Sequence, residues 1–320
     1  MVRFSVIMPL YNKAPYVRKA VESVVAQTYK DWELVVMDDG STDGSGEIVK
    51  SINDRRVRLV RQDNAGVSAA RNRGVVESAA PHICFLDADD WWEPTFLEEM
   101  TQLIERHPDA GIYGTGYYIV KNGRKRVAPI GIDEGFTEGE INYCQVYART
   151  LCMPLTSISV CIPRSVFDEA GRFPVDVKLG EDFLLWLRIA MKHKTVLLNK
   201  PLSNYNQDVD ITFRGTHHLH PPEKNMLWRL GEYESLEETN ADYKQMIDNL
   251  RTYSLMNYLL DNQYRAAARK ELAKVDWTKQ PAKTRVIYRM PIALLKFYTI
   301  TLKLGANAKQ SLIAHCCANQ

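Results

Sequence analysis

The chain has 320 residues, 25% charged and 45% hydrophobic, with 17 glycines, 14 prolines and a formal net charge of +2. These values lie inside the globular range and exclude a collagen-like, coiled-coil or wholly disordered chain. The length allows one large domain, or a domain with a smaller appendage.

Arg3-Phe4-Ser5-Val6-Ile7-Met8 reads as a strand closed by Pro9. Tyr16 to Gln27 then carries Val17, Ala20, Val21, Val24 and Val25 at helical spacing. Trp32 to Met37 reads as a second strand, running into the turn cluster Asp38 to Gly46. A short helix at 48–52, a third strand at 57–60 and an Ala- and Val-rich helix at 65–79 follow. His82-Ile83-Cys84-Phe85-Leu86 is nearly all apolar, as expected of a strand buried on both faces of a parallel sheet. Phe96 to Arg106 reads as a helix with Pro94 near its start. The alternation predicts an α/β fold, a mainly parallel sheet flanked by helices on both sides. From Gly111 to Pro163 the pattern loosens into short strands and Gly-rich loops, and helices return at 165–170 and 183–191. Beyond about residue 215 the chain reads as helical, at 226–233, 243–260 and 266–275. The expected organisation is a domain at 1–214 and a helical C-terminal region at 215–320.

In open parallel sheets, ligands sit at the carboxyl ends of the strands. Three such ends carry unusual chemistry: Pro9-Leu10-Tyr11-Asn12, Asp38-Asp39-Gly40-Ser41 and Asp87-Ala88-Asp89-Asp90. So many carboxylates at one edge would repel one another without something positive among them. A divalent cation, Mg²⁺ or Mn²⁺, shared with a phosphorylated substrate is the simplest answer. Strand-end aspartates also cap helices and hold turns, the favoured reading for Asp43 before Gly44. Asp87 and Asp89 differ, because they follow a buried strand, alternate across Ala88 and precede Trp91-Trp92. Asp39, Ser41, Asp43 and Gly44 fit the start of a calcium loop, but Lys50 stands where its last Glu belongs, which excludes an EF-hand. No GxGxxG follows the first strand, which argues against a dinucleotide dehydrogenase.

In order along the chain, Val6-Ile7-Met8-Pro9-Leu10-Tyr11-Asn12, Val36-Met37-Asp38-Asp39-Gly40-Ser41-Thr42-Asp43, Gly66-Val67-Ser68-Ala69-Ala70-Arg71-Asn72-Arg73-Gly74, Asp87-Ala88-Asp89 and Gly180-Glu181-Asp182 resemble glycosyltransferase family 2, with its GT-A fold. The resemblance runs from about residue 3 to residue 205. It implies a metal-dependent, inverting enzyme that moves a sugar from a nucleotide-diphosphate donor to an acceptor hydroxyl, as in surface polysaccharide or lipopolysaccharide synthesis. By the same resemblance, Pro9 and Tyr11 lie near the nucleobase, and Asp39 accepts the uracil N–H of a UDP-linked donor. Asp38 either shares that contact or holds the turn. Arg71 meets phosphate, Asp87 with Ala88 touches the ribose or the metal, and Asp89 ligates Mn²⁺ or Mg²⁺. Asp182 becomes the base that takes the acceptor proton, with Glu181 beside it to bind acceptor. Their place at a helix N-terminus, whose dipole favours anions, predicts a lowered pKa, and helix capping is the competing role.

Trp91, Trp92 and Trp186 are candidate sugar platforms, with core packing as the equal alternative. Two rival readings are a non-catalytic nucleotide-sugar or lipid-binding protein and a DxD-type phosphatase with Asp87 as nucleophile. The phosphatase places its nucleophile on the first strand, whereas here the motif ends the fourth. The sequence also departs from the family after Tyr205. Where relatives often place Arg, His and Ser, Asn206 to Arg214 stand here. Arg214 is a candidate substitute clamp, and His217, His218 and His220 are either solvated or a source of a further metal ligand.

Charge is uneven along the chain. After Asp276 there are seven lysines and arginines and no acid, so the remainder carries a net −5. Arg285 to Lys303 mixes Val286, Ile292, Leu294, Phe297 and Ile300 with four cations, and Pro291 interrupts any helix there. Such a segment fits either contact with anionic membrane lipid or a basic helix packed on the catalytic domain. No nucleic-acid module accompanies it. A tail near the membrane fits a glycan or lipid-linked acceptor. Six scattered cysteines without a CxxC pair exclude a disulfide scaffold or zinc ribbon, and point to a reducing cytoplasm. Neither a secretory leader nor an apolar run of about 18 residues, the length needed to span a bilayer, is read.

Overall fold

The computed structural model describes residues 3–209 and 219–301. In chain order it begins with β1 (Phe4–Leu10), α1 (Val17–Val25), β2 (Trp32–Asp38), α2 (Ser45–Lys50), β3 (Val57–Arg61), α3 (Val67–Val76), β4 (His82–Phe85), β5 (Trp91–Trp92) and α4 (Phe96–Arg106). It continues with β6 (Ala110–Lys121), β7 (Arg124–Val127), β8 (Glu138–Ile141), α5 (Tyr143–Thr150), β9 (Val160–Pro163), α6 (Arg164–Glu169), α7 (Glu181–Ala190) and β10 (Lys194–Asn206).

β1 is buried at every position because β2 and β4 pair with it in parallel on its two sides. That double burial is why its sequence is apolar at every position but Ser5 instead of alternating. α1 buries Val17, Ala20, Val21 and Val24, the stripe that the helical spacing marked. α3 packs so tightly that a Cβ added at Gly74 would lie 2.4 Å from Ile7 Cγ2. The ten strands form one sheet in the order β3-β2-β1-β4-β9-β6-β10-β5, with β7 added to β6 and β8 to β10. β3, β2, β1 and β4 are parallel, while β9 enters antiparallel between β4 and β6. β10 then runs parallel to β6.

The chain divides into two compact units, at 1–243 and 244–320. The expected boundary at 214/215 lies outside the described residues. In the first unit, residues 226–233 form two 3-10 turns, Met226–Trp228 and Gly231–Tyr233, where the sequence suggested a helix. The Asn225 side chain accepts the Leu227 N–H and starts the first turn, a local bond that competes with helix growth. α8 (Leu236–Thr239) and α9 (Ala241–Ser254) lead into the second unit, with α10 (Met256–Leu260), α11 (Arg265–Leu272) and α12 (Ala282–Arg289). Its interior holds Arg251, 1% exposed, ion-paired with Asp248 and Glu271. Pro291 separates α12 from further helix at 292–301, where the missing N–H is tolerated at a helix start.

Candidate active site

Parallel pairing brings Leu10, Asp38 and Asp87 out at one edge of the sheet, since β1, β2 and β4 all end there. Two antiparallel steps through β9 restore that direction, so β6 and β10 also deliver their ends, Lys121 and Asn206, to the same edge.

The loop after β1 is tied to the loop after β2. Asn12, in the left-handed region at φ 51°, donates its N–H to Ser41 Oγ at 3.1 Å and accepts the Thr42 N–H at 2.9 Å. Lys13 and Ala14 N–H groups reach Ser45 Oγ and Asp43 Oδ2. Asp43 also accepts the N–H and hydroxyl of Ser45, so it holds this loop. Asp38, 1% exposed, accepts the Ser41 N–H at 2.8 Å and has the Arg61 guanidinium 3.7 Å from Oδ2. Of its two expected roles, the turn is the one its geometry serves. Asp39, 3% exposed, accepts from Gln62 Nε2, the Ala65 N–H and the Gly66 N–H at 2.7–2.9 Å. An ionised carboxylate has about four acceptor positions, so these three bonds leave capacity for one more donor. Tyr11 is 46% exposed beside this loop, whereas Pro9 and Ala88 are buried, so the latter two can meet a ligand through backbone alone.

At the centre lies Arg71 on α3. Its Nη2 is 2.8 Å from Asp87 Oδ1 and its Nη1 is 3.2 Å from Glu181 Oε1. The residue is 3% exposed, so it bridges two carboxylates inside the protein instead of standing open toward a phosphate. Burial opposes its charge, but Asp87 and Glu181 outweigh that and raise its pKa. Burial lifts the Glu181 carboxyl to about 7, with the Asp182 charge adding and Arg71 opposing. Asp182 is raised too, first by burial and then by the charge of Asp87, while Arg71 and the Phe183 N–H hold it back. The lowering expected from the helix N-terminus is therefore reversed, because desolvation disfavours the carboxylate more than the dipole favours it. Neither acid occupies the N-cap position of α7, although Asp182 Oδ1 accepts the first-turn Phe183 N–H at 2.7 Å. That position belongs to Gly180 at φ 85°, where a Cβ would lie 2.3 Å from Met226 Sδ.

Asp89 meets a residue that sequence reasoning passed over. Lys13 Nζ is 2.6 Å from Asp89 Oδ2, with both side chains mostly buried. The positive charge sought among the carboxylates is thus supplied in part by two side chains, Arg71 for Asp87 and Lys13 for Asp89. A lysine after Asn12 carries no signal of its own; the need for a counter-charge was the one clue. Asp90 is buried, accepts the Asn206 N–H at 2.7 Å, and is pushed well up by burial and by its neighbours Asp89 and Asp87. Among the described residues no three His, Cys, Asp or Glu side chains gather as a metal cage. Asp87 and Asp89, both reachable from solvent, fit a cation that brings most of its oxygen ligands with a diphosphate. Arg214, His217 and His218 lie outside the described residues.

The tryptophans separate. Trp92 is 3% exposed, stacks on Phe96 and donates to the Ile158 carbonyl, while Trp186 is fully buried against Phe85 and Phe173. Both are core residues, not sugar platforms. Trp91 borders a cleft, with Lys19 Nζ 3.0 Å from its ring centroid.

The glycosyl transferase family 2 profile matches residues 5–161, which hold the β1 and β2 loops, Arg71 and the Asp87-Ala88-Asp89 segment. This segment belongs to glycosyltransferase family 2. The glycosyltransferase GlyA of Streptococcus pneumoniae is 32% identical over 212 residues, 63% of this chain and 30% of the relative. The uncharacterized glycosyltransferase EpsJ of Bacillus subtilis is 33% identical over 183 residues, 56% of this chain and 53% of the relative. The chain thus spans from about a third to about half of the length of these curated relatives. In structure, S. aureus TarS 1–349 in complex with UDP superposes with a TM-score of 0.67 at 19% identity, covering 85% of this chain and 79% of that one. That likeness extends beyond the family 2 segment and marks the fold as GT-A, with a helical C-terminal region following.

Proposed function

We propose that the chain is an inverting glycosyltransferase that moves a sugar from a UDP-linked donor to an acceptor hydroxyl, in the synthesis of surface polysaccharide or lipopolysaccharide. The observation that carries this reading is the ion-paired group Asp87–Arg71–Glu181, with Asp182 beside it, at the carboxyl edge of a family 2 sheet. It is supported by the TarS structures of like fold with UDP and with UDP-GlcNAc. In this reading Asp182 takes the acceptor proton while the acceptor oxygen bonds to the anomeric carbon. The bond from that carbon to the diphosphate breaks on the opposite side, which inverts the centre. A raised pKa makes Asp182 a stronger proton acceptor than an ordinary aspartate. Tyr11 lies against the base and Asp39 accepts its N–H. Asp89, with Asp87 beside it, would hold Mn²⁺ or Mg²⁺, whose chemistry is to neutralise charge on the departing diphosphate. To hold the cation, Asp89 would exchange its bond to Lys13 for it.

Thermal unfolding tests the donor and the cation together. UDP with Mn²⁺ is expected to raise the melting temperature, and UDP alone much less, because a ligand that binds the folded state alone stabilises it. Equal shifts with ADP and GDP would remove the uridine assignment, and equal shifts without metal would remove the cation.

The acceptor reading adds a surface at the inner face of the cell membrane. No described helix is long and apolar enough to cross a bilayer. In the second unit, Leu294, Phe297 and Ile300 recur every third residue and are 55–68% exposed, with Lys296 among them. Contact of this stripe with anionic lipid is expected to carry the chain upward with phosphatidylglycerol vesicles in a flotation gradient. Phe297→Asp is expected to abolish flotation; unchanged flotation would reject the contact.

A further inference from the structure

Beside Asp89 lies a cleft of about 380 Å³, inside the roughly 300–1,000 Å³ range of small-molecule sites. Its walls come from the start of α1 (Tyr16, Lys19), from Trp91, from Lys125 on β7 and from Asn206 at the end of β10. The donor-side residues Tyr11, Asp39 and Arg71 do not line it, and neither does Asp182; Asp89 is shared. The β6–β7 hairpin that forms one lip carries Lys121, Arg124, Lys125 and Arg126, all exposed. Its tip is anchored, because Asp208 accepts the Asn122 and Gly123 N–H groups at 2.6 and 2.8 Å. The carboxylates nearby are largely engaged. Asp208 faces the hairpin amides, Asp90 accepts the Asn206 N–H at 2.7 Å, and Glu93 takes Lys125 at 2.6 Å and Asn204 at 2.9 Å. Lys19 lies over Trp91 at 3.0 Å, with Lys125 at 6.0 Å from the same ring. Burial and then the charge of Lys125 lower the Lys19 pKa, against Glu93. Two ammonium groups, with Glu93 as their shared carboxylate, therefore crowd one aromatic ring behind an exposed cationic lip. An anion between them would relieve that crowding and form charge-assisted hydrogen bonds to both.

We propose that this cleft holds the part of the acceptor remote from its reacting hydroxyl and that this part is an anionic saccharide unit, with the phosphate or carboxylate of the sugar held between Lys19 and Lys125 and its ring beside Trp91 and Tyr16. The inference rests on the transferase reading, because the shared wall at Asp89 is what sets the cleft next to the donor diphosphate.

The test uses the full chain in the presence of UDP and Mn²⁺, titrated calorimetrically with glucose 1-phosphate, glucuronate and methyl glucoside. One or both charged sugars are expected to bind and the neutral glycoside to bind much more weakly. The response names the source: phosphate alone points to a phosphorylated glycan and glucuronate alone to a uronate. Lys19→Gln with Lys125→Gln is expected to weaken the charged sugars by about tenfold or more while UDP affinity stays within about twofold. Equal binding of charged and neutral sugars, absence of charged-sugar binding, or unchanged affinities in the double variant would each overturn the proposal. Loss of UDP affinity in that variant would also overturn it, since the cleft would then belong to the donor. Charged-sugar binding that needs both lysines, in a chain that binds no UDP, would keep the anion site and remove the transferase reading.

Discussion

Asp182→Asn is expected to lower sugar transfer by about 10²- to 10⁴-fold, the usual contribution of a positioned general base, with UDP affinity little changed. The amide keeps the shape and the bond from the Phe183 N–H to the side-chain oxygen, 2.7 Å in the parent, so the helix start is preserved. What it removes is the capacity to accept a proton. Steady-state release of UDP, measured with and without acceptor, reads the loss, and activity within tenfold of the parent would reject Asp182 as the base. The parent's pH profile supplies a second reading. Both acids of the pair are raised by burial, Glu181 to about 7, so activity is expected to rise with pH as Asp182 ionises and to change again near pH 7 as Glu181 ionises beside it. Stability runs the other way. A carboxyl whose folded pKa is raised stabilises the fold fully below its ordinary value near 4.5, and that contribution is lost as the pH rises through about 7. A profile flat from pH 5 to pH 8 would contradict the environment described for Glu181 and Asp182.

Arg71→Met is expected to cost about 3–5 kcal/mol of folding stability, the size found when one partner of a buried ion pair is removed. Its side chain is 4% exposed and its two nitrogens reach Asp87 at 2.8 Å and Glu181 at 3.2 Å. Without it, three acids face one another with the opposing charge gone. Urea unfolding measures the loss. Adding Glu181→Gln to Arg71→Met is expected to recover part of it, because the second change removes one of the stranded charges. Strictly additive losses would mean that the two residues act independently. A loss below 1 kcal/mol would show that the bridge is not what holds α7 against α3.

The elements of the sheet were the easiest to read. β1, β2 and β4 are largely buried on both faces, and such strands are written as nearly continuous apolar runs, here interrupted only by Ser5, Glu33 and a leading His82 before the closing Asp38. α1 and α4 declared themselves by apolar residues at helical spacing. The 226–233 segment was misread because its length and composition allow a helix, while one bond from Asn225 commits it to a 3-10 turn. The long β10 passed without an assignment of its own. It carries Asn199, Lys200 and Pro201 in its middle, where the pairing with β6 shifts register.

The site residues were legible as a set but not in their roles. Aspartates at strand ends mark an edge by chemistry alone; Asp43 holds its loop as the following Gly44 suggested, Asp38 takes the turn role of its two expected ones, and only the fold shows Asp39 also organising the loop. Trp92 and Trp186 were indistinguishable from Trp91 until burial separated them.

From its own order of residues the chain specifies the parallel strands, the carboxyl-edge aspartates and the Gly180-Glu181-Asp182 helix start, because these depend on local periodicity and backbone conformation. Folding alone decides that Arg71 meets Asp87 and Glu181 across separations of 16 and 110 residues, that Lys13 meets Asp89, and that α1 and the β6–β7 hairpin share a cleft. The reason is electrostatic. A charge acquires its partner and its pKa from whatever the fold removes from water around it, and no neighbour in sequence carries that information.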